Sequence, residues 1–300
     1  MDRFIELNVF VAVAEEQSFV GAARRLQMSP PPVTRAVNAL EQRLGVQLLT
    51  RTTRHVRMTD AGKTYLQSAR RILSDLSTAD ETAVGVHAAP SGNLSITAPL
   101  MFGSLHVVPC VTEYLERYPD TTVSVALLDR VVNLMEEGFD AGIRIGDLPD
   151  SSMRAVRIGS VRSVVCASPQ YLQAHGTPKK PEQLPEHQII TTAGSAVATQ
   201  WKFLHKGKSM SVRVTPRLST SNIAGAVAAA TAGFGITRLL SYQIEQGLRD
   251  KNLKLLLENY ETASLPVHIV HQEGRVVPSK LRALIDVMVE RLRANKLLNP

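Results

Sequence analysis

Three helical periodicities crowded into the first forty-five residues constrain this fold more than any other feature of the chain. Phe4, Leu7, Phe10, Val11 and Ala14 recur at helical spacing and predict an amphipathic helix that ends near Glu16. Ser18 then precedes Phe19, Ala22, Ala23 and Leu26, the pattern of an N-cap and a short second helix. A polar turn, Gln27 to Ser29, leads to a third run of Val33, Ala36, Val37, Leu40 and Leu44, stopped by Gly45. Short helices with a tight turn between the second and third outline a helix-turn-helix, and small Ala22 and Ala23 suit a close approach of those two.

Pro30, Pro31 and Pro32 resemble helix breakers. With Ser29 as N-cap all three fall in the first turn, where backbone N–H groups have no intrahelical partner to lose. Opposite the apolar stripe of this third helix lie Thr34, Arg35, Asn38 and Gln42, side chains able to bond base edges and phosphates. Beyond it, Thr50 to Thr53 with alternation at Val56 and Met58 predicts a β-hairpin carrying Arg51 and Arg54 towards its tip.

The charge follows the same segment. From Arg24 to Arg71 the chain is +8, with only Glu41 and Asp60 against ten basic residues, whereas the whole chain is +7. Such concentration is what polyanion binding needs, because each neutralised phosphate releases counterions. Thr59 is placed to cap a further helix running to the late eighties. Along it Tyr65, Ala69, Ile72, Leu76, Ala79, Ala83 and Val86 form a heptad seam, which favours pairing with a second chain over packing on its own domain.

Ser18-Phe19, Ala22-Ala23, Leu26, Ser29, Val33-Thr34-Arg35, Leu40-Glu41, Leu44-Gly45, Leu48-Leu49, Arg51, Arg54, Met58-Thr59 and Ala61-Gly62 together resemble the winged helix-turn-helix of LysR-type transcriptional regulators. The sequence departs from that pattern at Pro30, where Gln is frequent, and at Pro32, Thr34 and Leu49. The resemblance implies a DNA-binding domain over residues 1–60 with Ser29, Pro31, Thr34, Arg35 and Asn38 at the duplex and Arg51 and Arg54 on backbone or minor groove. It also implies a linker and dimerisation helix over 61–89, paired antiparallel with its twin, and a homodimer that assembles further into a homotetramer.

Ala88 to Gly92 is a boundary by its breakers, and strands and helices alternate beyond it, predicting an α/β fold with mostly parallel sheet. By resemblance, carried by Phe139 to Gly146 and Ala232 to Ile236, residues 90–300 form a two-lobed, periplasmic-binding-protein-like effector domain. One lobe takes 92–161 and 266–300, the other 162–265. The implied effector site between the lobes comprises Pro99, Leu100, Met101, Phe102, Ser104, Arg144, Ser195, Ser221 and Asn222, and suits a small molecule that is partly apolar or anionic. Arg144 and Arg238 have a second reading, an internal ion pair.

Other functions lack their residues. There is no Gly-rich phosphate loop, HExxH or GxSxG, and the histidines are scattered, so neither an enzyme, a metal site nor a cofactor is expected. Cys110 and Cys166 sit in apolar runs and read as buried small hydrophobes. The longest uncharged apolar run, Ile223 to Ile236, is 14 residues and short of the about 18 a membrane helix needs. The expectation is a cytoplasmic, effector-responsive, sequence-specific DNA-binding regulator of transcription. A small-molecule binding protein with an accessory N-terminal domain is the alternative, and it leaves the +8 segment without purpose.

Overall fold

The computed structural model describes residues 2–51, 56–84, 89–148, 153–192, 199–272 and 277–299. They fall into two compact units: one built on residues up to Pro90, joined by Val132–Asp140 and the segment ending at Ser279, and one built on the rest from Ser91.

In the first unit, α1 (Arg3–Glu16), α2 (Phe19–Arg25) and α3 (Pro30–Leu44) are followed by β1 (Leu49–Arg51), β2 (Val56–Met58) and the long α4 (Asp60–Val84). The Asp2 carboxylate accepts the Phe4 N–H, and the Ser18 hydroxyl accepts the Gly21 N–H, so α1 and α2 start where a side chain satisfies an orphan amide. The prolines occupy the first turn of α3; Ser29 precedes them but makes no side-chain cap bond. Phe10, Ala22, Ala23, Val33, Ala36, Val37 and Leu40 are almost wholly buried in one core. β1 and β2 pair antiparallel, Leu49 opposite Met58, which makes the wing.

The Thr59 hydroxyl accepts the Gly62 N–H and caps α4. Gly62 is there for space: a Cβ would stand 2.0 Å from the carbonyl oxygen of Leu48, so only glycine lets α4 cross the base of the wing this closely. The first turns of α4 belong to the winged-helix core. Leu66 and Ala69 are buried in it, and the Tyr65 ring meets Phe10 edge-on at 5.6 Å. This corrects two expectations. Residue 60 does not separate two bodies, and Tyr65 and Ala69 face their own domain, because the seam starts where α4 still has α1 to pack on. Ile72, Leu76 and Ala79 are exposed. Nothing of Ala83 beyond its helical backbone is described, and Val86 lies outside the described residues.

The second unit holds two five-stranded sheets. The chain runs β3 (Gly92–Ala98), α5 (Leu100–Phe102), a π turn (Gly103–Val107), α6 (Val108–Arg117), β4 (Thr121–Leu127), α7 (Leu134–Glu137), β5 (Ala141–Ile145) and β6 (Met153–Val161). It crosses over as β7 (Ser163–Ala167), then forms α8 (Pro169–His175), β8 (Ile189–Thr191), β9 (Thr199–His205), β10 (Lys208–Val214), β11 (Pro216–Ser219), α9 (Ile223–Thr231), β12 (Ile236–Leu240), α10 (Glu245–Arg249) and β13 (Lys254–Leu256). It returns as β14 (Leu265–Gln272) and ends with α11 (Ser279–Arg293). The first lobe has order β4-β3-β5-β14-β6 and the second β11-β8-β12-β7-β13.

Both sheets are mixed, which corrects the expected mostly parallel order. β3, β4 and β5 run parallel, as do β8, β11 and β12, but β14 is antiparallel to β5 and β7 antiparallel to β12. β7 and β14 are the strands by which the chain enters each lobe from the other, so they need not follow the βαβ rule that makes their neighbours parallel. Two strands escaped the sequence reading. β6 carries exposed Arg154 and Arg157 without clean alternation, and β11 opens on Pro216 at a sheet edge.

Gly62→Ala tests the close crossing of α4. Its gain in helix propensity of about 1 kcal/mol is outweighed by overpacking against backbone, and a net loss of about 1–3 kcal/mol is expected in urea denaturation of the N-terminal transition.

Candidate functional site

The third helix presents two faces. Val33, Ala36, Val37 and Leu40 are buried, while Ser29, Pro31, Arg35, Asn38 and Gln42 are exposed and Thr34 is half-buried, at positions that share one side of a helix. Two anchors fix which side faces out. The Arg43 guanidinium donates to Glu6, with Nη2 at 2.9 Å from a carboxylate that is only 5% exposed. The Glu41 carboxylate accepts the backbone N–H groups of Leu48 and Leu49 at 2.8 and 2.9 Å, tying the end of α3 to the start of the wing.

Part of the basic segment is therefore engaged in ion pairs within its own unit. Besides Arg43, Arg25 and Arg70 both donate to Glu15, joining α1, α2 and α4, and Lys63 pairs with Asp60. Arg24, Arg35, Arg57 and Arg71 have no carboxylate partner among the described residues. Arg51 ends β1, its side chain not described; Arg54 and His55 lie outside the described residues.

In the second unit a cavity of about 450 Å³ opens between the two sheets. The first lobe contributes Pro99, Asp129, Arg130, Ile143, Arg144 and Leu265; the second contributes Thr192, Ser221, Asn222, Leu240, Tyr242 and Gln243. Of the expected rim, Pro99, Arg144, Ser221 and Asn222 line it. Leu100, Met101, Phe102 and Ser104 do not, which corrects that expectation. The helix begins at Leu100, so its period turns Phe102 into the interior, where it is fully buried. The same period stacks Ser104 over Leu100 on the exposed side, its hydroxyl donating to the Leu100 carbonyl. Ser195 lies outside the described residues.

Sequence reasoning also missed Asp129 and the aromatic contact across the lobes. The Asp129 carboxylate accepts the Leu100 N–H at 2.9 Å, so a residue of this chain already occupies that helix start. Phe102 meets Tyr242 edge-on at 5.2 Å, and His106 packs against both rings. Burial pushes the Tyr242 hydroxyl up to about 12. The Asn222 carboxamide accepts the Gly225 N–H and starts α9 at the cavity wall. No signal in the sequence places Tyr242 beside Phe102, since a hundred and more residues separate them.

Arg238 follows neither expected reading: its Nε donates to Ser163 and its guanidinium lies 5.2 Å over Phe203. Cys110 and Cys166 are buried, and burial pushes their thiols up to about 11 and about 12, the opposite of a reactive thiolate.

Residues 4–63 match the family described as bacterial regulatory helix-turn-helix protein, lysR family, and residues 87–293 match the LysR substrate binding domain. The chain belongs to the LysR family of transcriptional regulators. The HTH-type transcriptional regulator CrgA of Neisseria meningitidis is 33% identical over 291 residues, 97% of each chain. The solved structure of CrgA superposes with a TM-score of 0.62 at 32% identity, covering 97% of this chain and 99% of that one. The full-length structure of AphB, a virulence activator of Vibrio cholerae, gives 0.62 at 25% identity with the same coverage. As a LysR-type regulator the chain binds DNA through its N-terminal unit, responds to a small molecule through its two-lobed unit, and works as an oligomer. This removes the alternative in which the N-terminal unit is an accessory. No helix among the described residues is long and apolar enough to cross a membrane.

The lobe contact carries a pH dependence with a definite sign. His106 Nε2 is buried without a hydrogen-bond partner, and burial holds its pKa below the ordinary 6.5, against an opposing pull from Glu245. The unfolded chain therefore takes up the proton first, so stability is full above 6.5 and falls as pH drops towards the folded value. His187 and His268, also lowered by burial, act in the same direction. The melting temperature of the full chain is expected to fall between about pH 7.5 and about pH 5.5, and His106→Leu to reduce that fall.

Proposed function

We propose that this regulator reads duplex DNA with the exposed face of α3, through Ser29, Pro31, Thr34, Arg35 and Asn38, while Arg51 and Arg54 on the wing engage the backbone or minor groove. The observation that carries the reading is the division of α3: one side is locked by the core, by Arg43–Glu6 and by Glu41, and the other side presents Thr34, Arg35, Asn38 and Gln42, which can bond bases or phosphates. The three prolines leave the first turn of α3 without N–H donors to spare, so base discrimination rests on side chains from Thr34 onward.

Dimerisation uses the exposed continuation of α4, Ile72, Leu76 and Ala79 with Ala83 beyond them. Two recognition helices on two half-sites raise the effective concentration of the second contact. The dimer in turn pairs into a tetramer.

The effector occupies the cavity between the lobes. Its size, about 450 Å³, suits a small molecule, and Pro99, Ile143 and Leu265 supply apolar wall. Asp129 already holds the Leu100 N–H, so an anionic group on the effector fits the side formed by Arg144, Ser221 and Asn222. Binding shifts the lobes towards a closed state and, through the dimer, the geometry of bound DNA.

Arg35→Ala is expected to weaken binding to the specific site by about 1–3 kcal/mol more than to random duplex, measured by titration of both. Equal losses would assign Arg35 to the phosphate backbone. Ile72→Asp and Leu76→Asp place charge in the exposed seam and are expected to lower the mass in light scattering; an unchanged mass would exclude α4 as the joint.

A further inference from the structure

A second concentration of positive charge lies far from the winged helix. From His187 to Ile244, 58 residues, the chain has no acidic residue and six basic ones. Two of the six are engaged in the lobe: Arg238 as described, and Arg217, whose guanidinium lies 5.8 Å over the Phe234 ring. The other four, Lys202, Lys206, Lys208 and Arg213, all sit on the hairpin of β9 and β10, and all are exposed.

The hairpin holds them in fixed places. Trp201, Phe203, Val212 and Val214 bury its inner face in the core of the second lobe, so the opposite face points outward and cannot roll over. On that outer face Lys202 stands opposite Ser211 and Arg213 opposite Gln200, with the Ser211 hydroxyl donating to Gln200. Lys206 and Gly207 make the turn, both at positive φ (48° and 77°), the requirement of a tight two-residue hairpin, and Lys208 follows directly, opposite His205 on the other side of the ribbon but exposed at its tip. Cations thus run from the tip of the hairpin along roughly four residues of strand, about 13 Å.

Solvated surfaces intersperse both signs, and elsewhere this unit does so: Arg162 pairs with Glu261, and Arg291 with Glu113. None of the four hairpin cations has a carboxylate partner among the described residues. The acidic residues packed beside the hairpin are on the turn Pro181–Glu186, which carries Glu182 and Glu186 against β10, and on the turn Glu258–Tyr260, whose tyrosine stacks on His205. Lys202 and Arg213 on the rigid outer strand face, with serine and glutamine between them, and Lys206 and Lys208 exposed at the tip match a row of phosphates rather than a groove of bases, because they offer charge and simple donors without a helix to enter a groove.

We propose that the outer face of the β9–β10 hairpin together with its tip is a second polyanion contact, and that its partner is the phosphate backbone of duplex DNA outside the sequence read by α3. This rests on the DNA-binding function of the family and not on which residues of α3 read bases. The contact adds affinity and salt dependence without adding sequence preference.

The test uses the full-length protein with all four cations replaced, Lys202→Gln, Lys206→Gln, Lys208→Gln and Arg213→Gln. Binding to a random-sequence duplex of about 60 base pairs is titrated over a range of sodium chloride. Each lost phosphate contact lowers the slope of log affinity against log salt by about 0.9, so a decrease of about 2–4 is expected, with at least about tenfold weaker binding near 0.1 M salt. A control with the same charge removed elsewhere, Lys251→Gln, Lys254→Gln, Arg282→Gln and Lys296→Gln, is expected to keep the original slope. Discrimination between specific and random duplex survives unchanged in the hairpin variant and is reduced in Arg35→Ala, which separates failure of this contact from failure of the α3 assignment. An unchanged slope in the hairpin variant overturns the proposal, and so does an equal decrease in the control. Loss of binding to poly-glutamate with an unchanged DNA slope also overturns it and assigns the face to an acidic protein.

Discussion

The winged-helix unit depends on α3 being unable to rotate. Four apolar side chains bury one stripe, and directional polar bonds add what a stripe alone lacks. The Arg43–Glu6 pair and the two backbone bonds to Glu41 supply them. Glu6 is almost wholly buried, so losing Arg43 would strand a charge in the core. Glu41 is more economical still, since one carboxylate satisfies two consecutive amides at the turn into the wing. Recognition helix and wing are therefore positioned by the same short stretch of chain.

The effector unit solves a different problem. Each lobe has a parallel βαβ set, and each receives one strand from the other lobe in the opposite direction. The two crossings leave a cavity whose walls come from both sheets. The aromatic contact of Phe102 and His106 with Tyr242 borders that cavity, and Asp129 holds a helix start that a free anion would otherwise favour. His106, buried in that contact and with its pKa lowered by burial, makes the fold less stable where it must take up a proton.

Much of this was legible before any coordinates. The three front helices, their Ser18 and Thr59 caps, the Gly45 stop and the wing follow from local periodicity and from amides that need a partner, and they fall where the pattern places them. The illegible parts share a cause. Tyr65 and Ala69 continue the same heptad as Ile72 and Leu76, and spacing cannot say where along a helix the partner changes from the chain's own core to another molecule. Phe102 and Leu100 stand two residues apart, and only the exact start of the helix decides which of them turns inward.

What the sequence by itself determined, then, is the order and kind of elements and the identity of the charged front. Those depend on interactions among residues a few positions apart, whose spacing is written in the chain. Tertiary structure alone decided which of the arginines are spent on Glu6 and Glu15, which side chains wall the cavity, and which face of the hairpin turns outward. Each of these is a meeting of residues distant in sequence, settled by how the elements pack together rather than by any local preference.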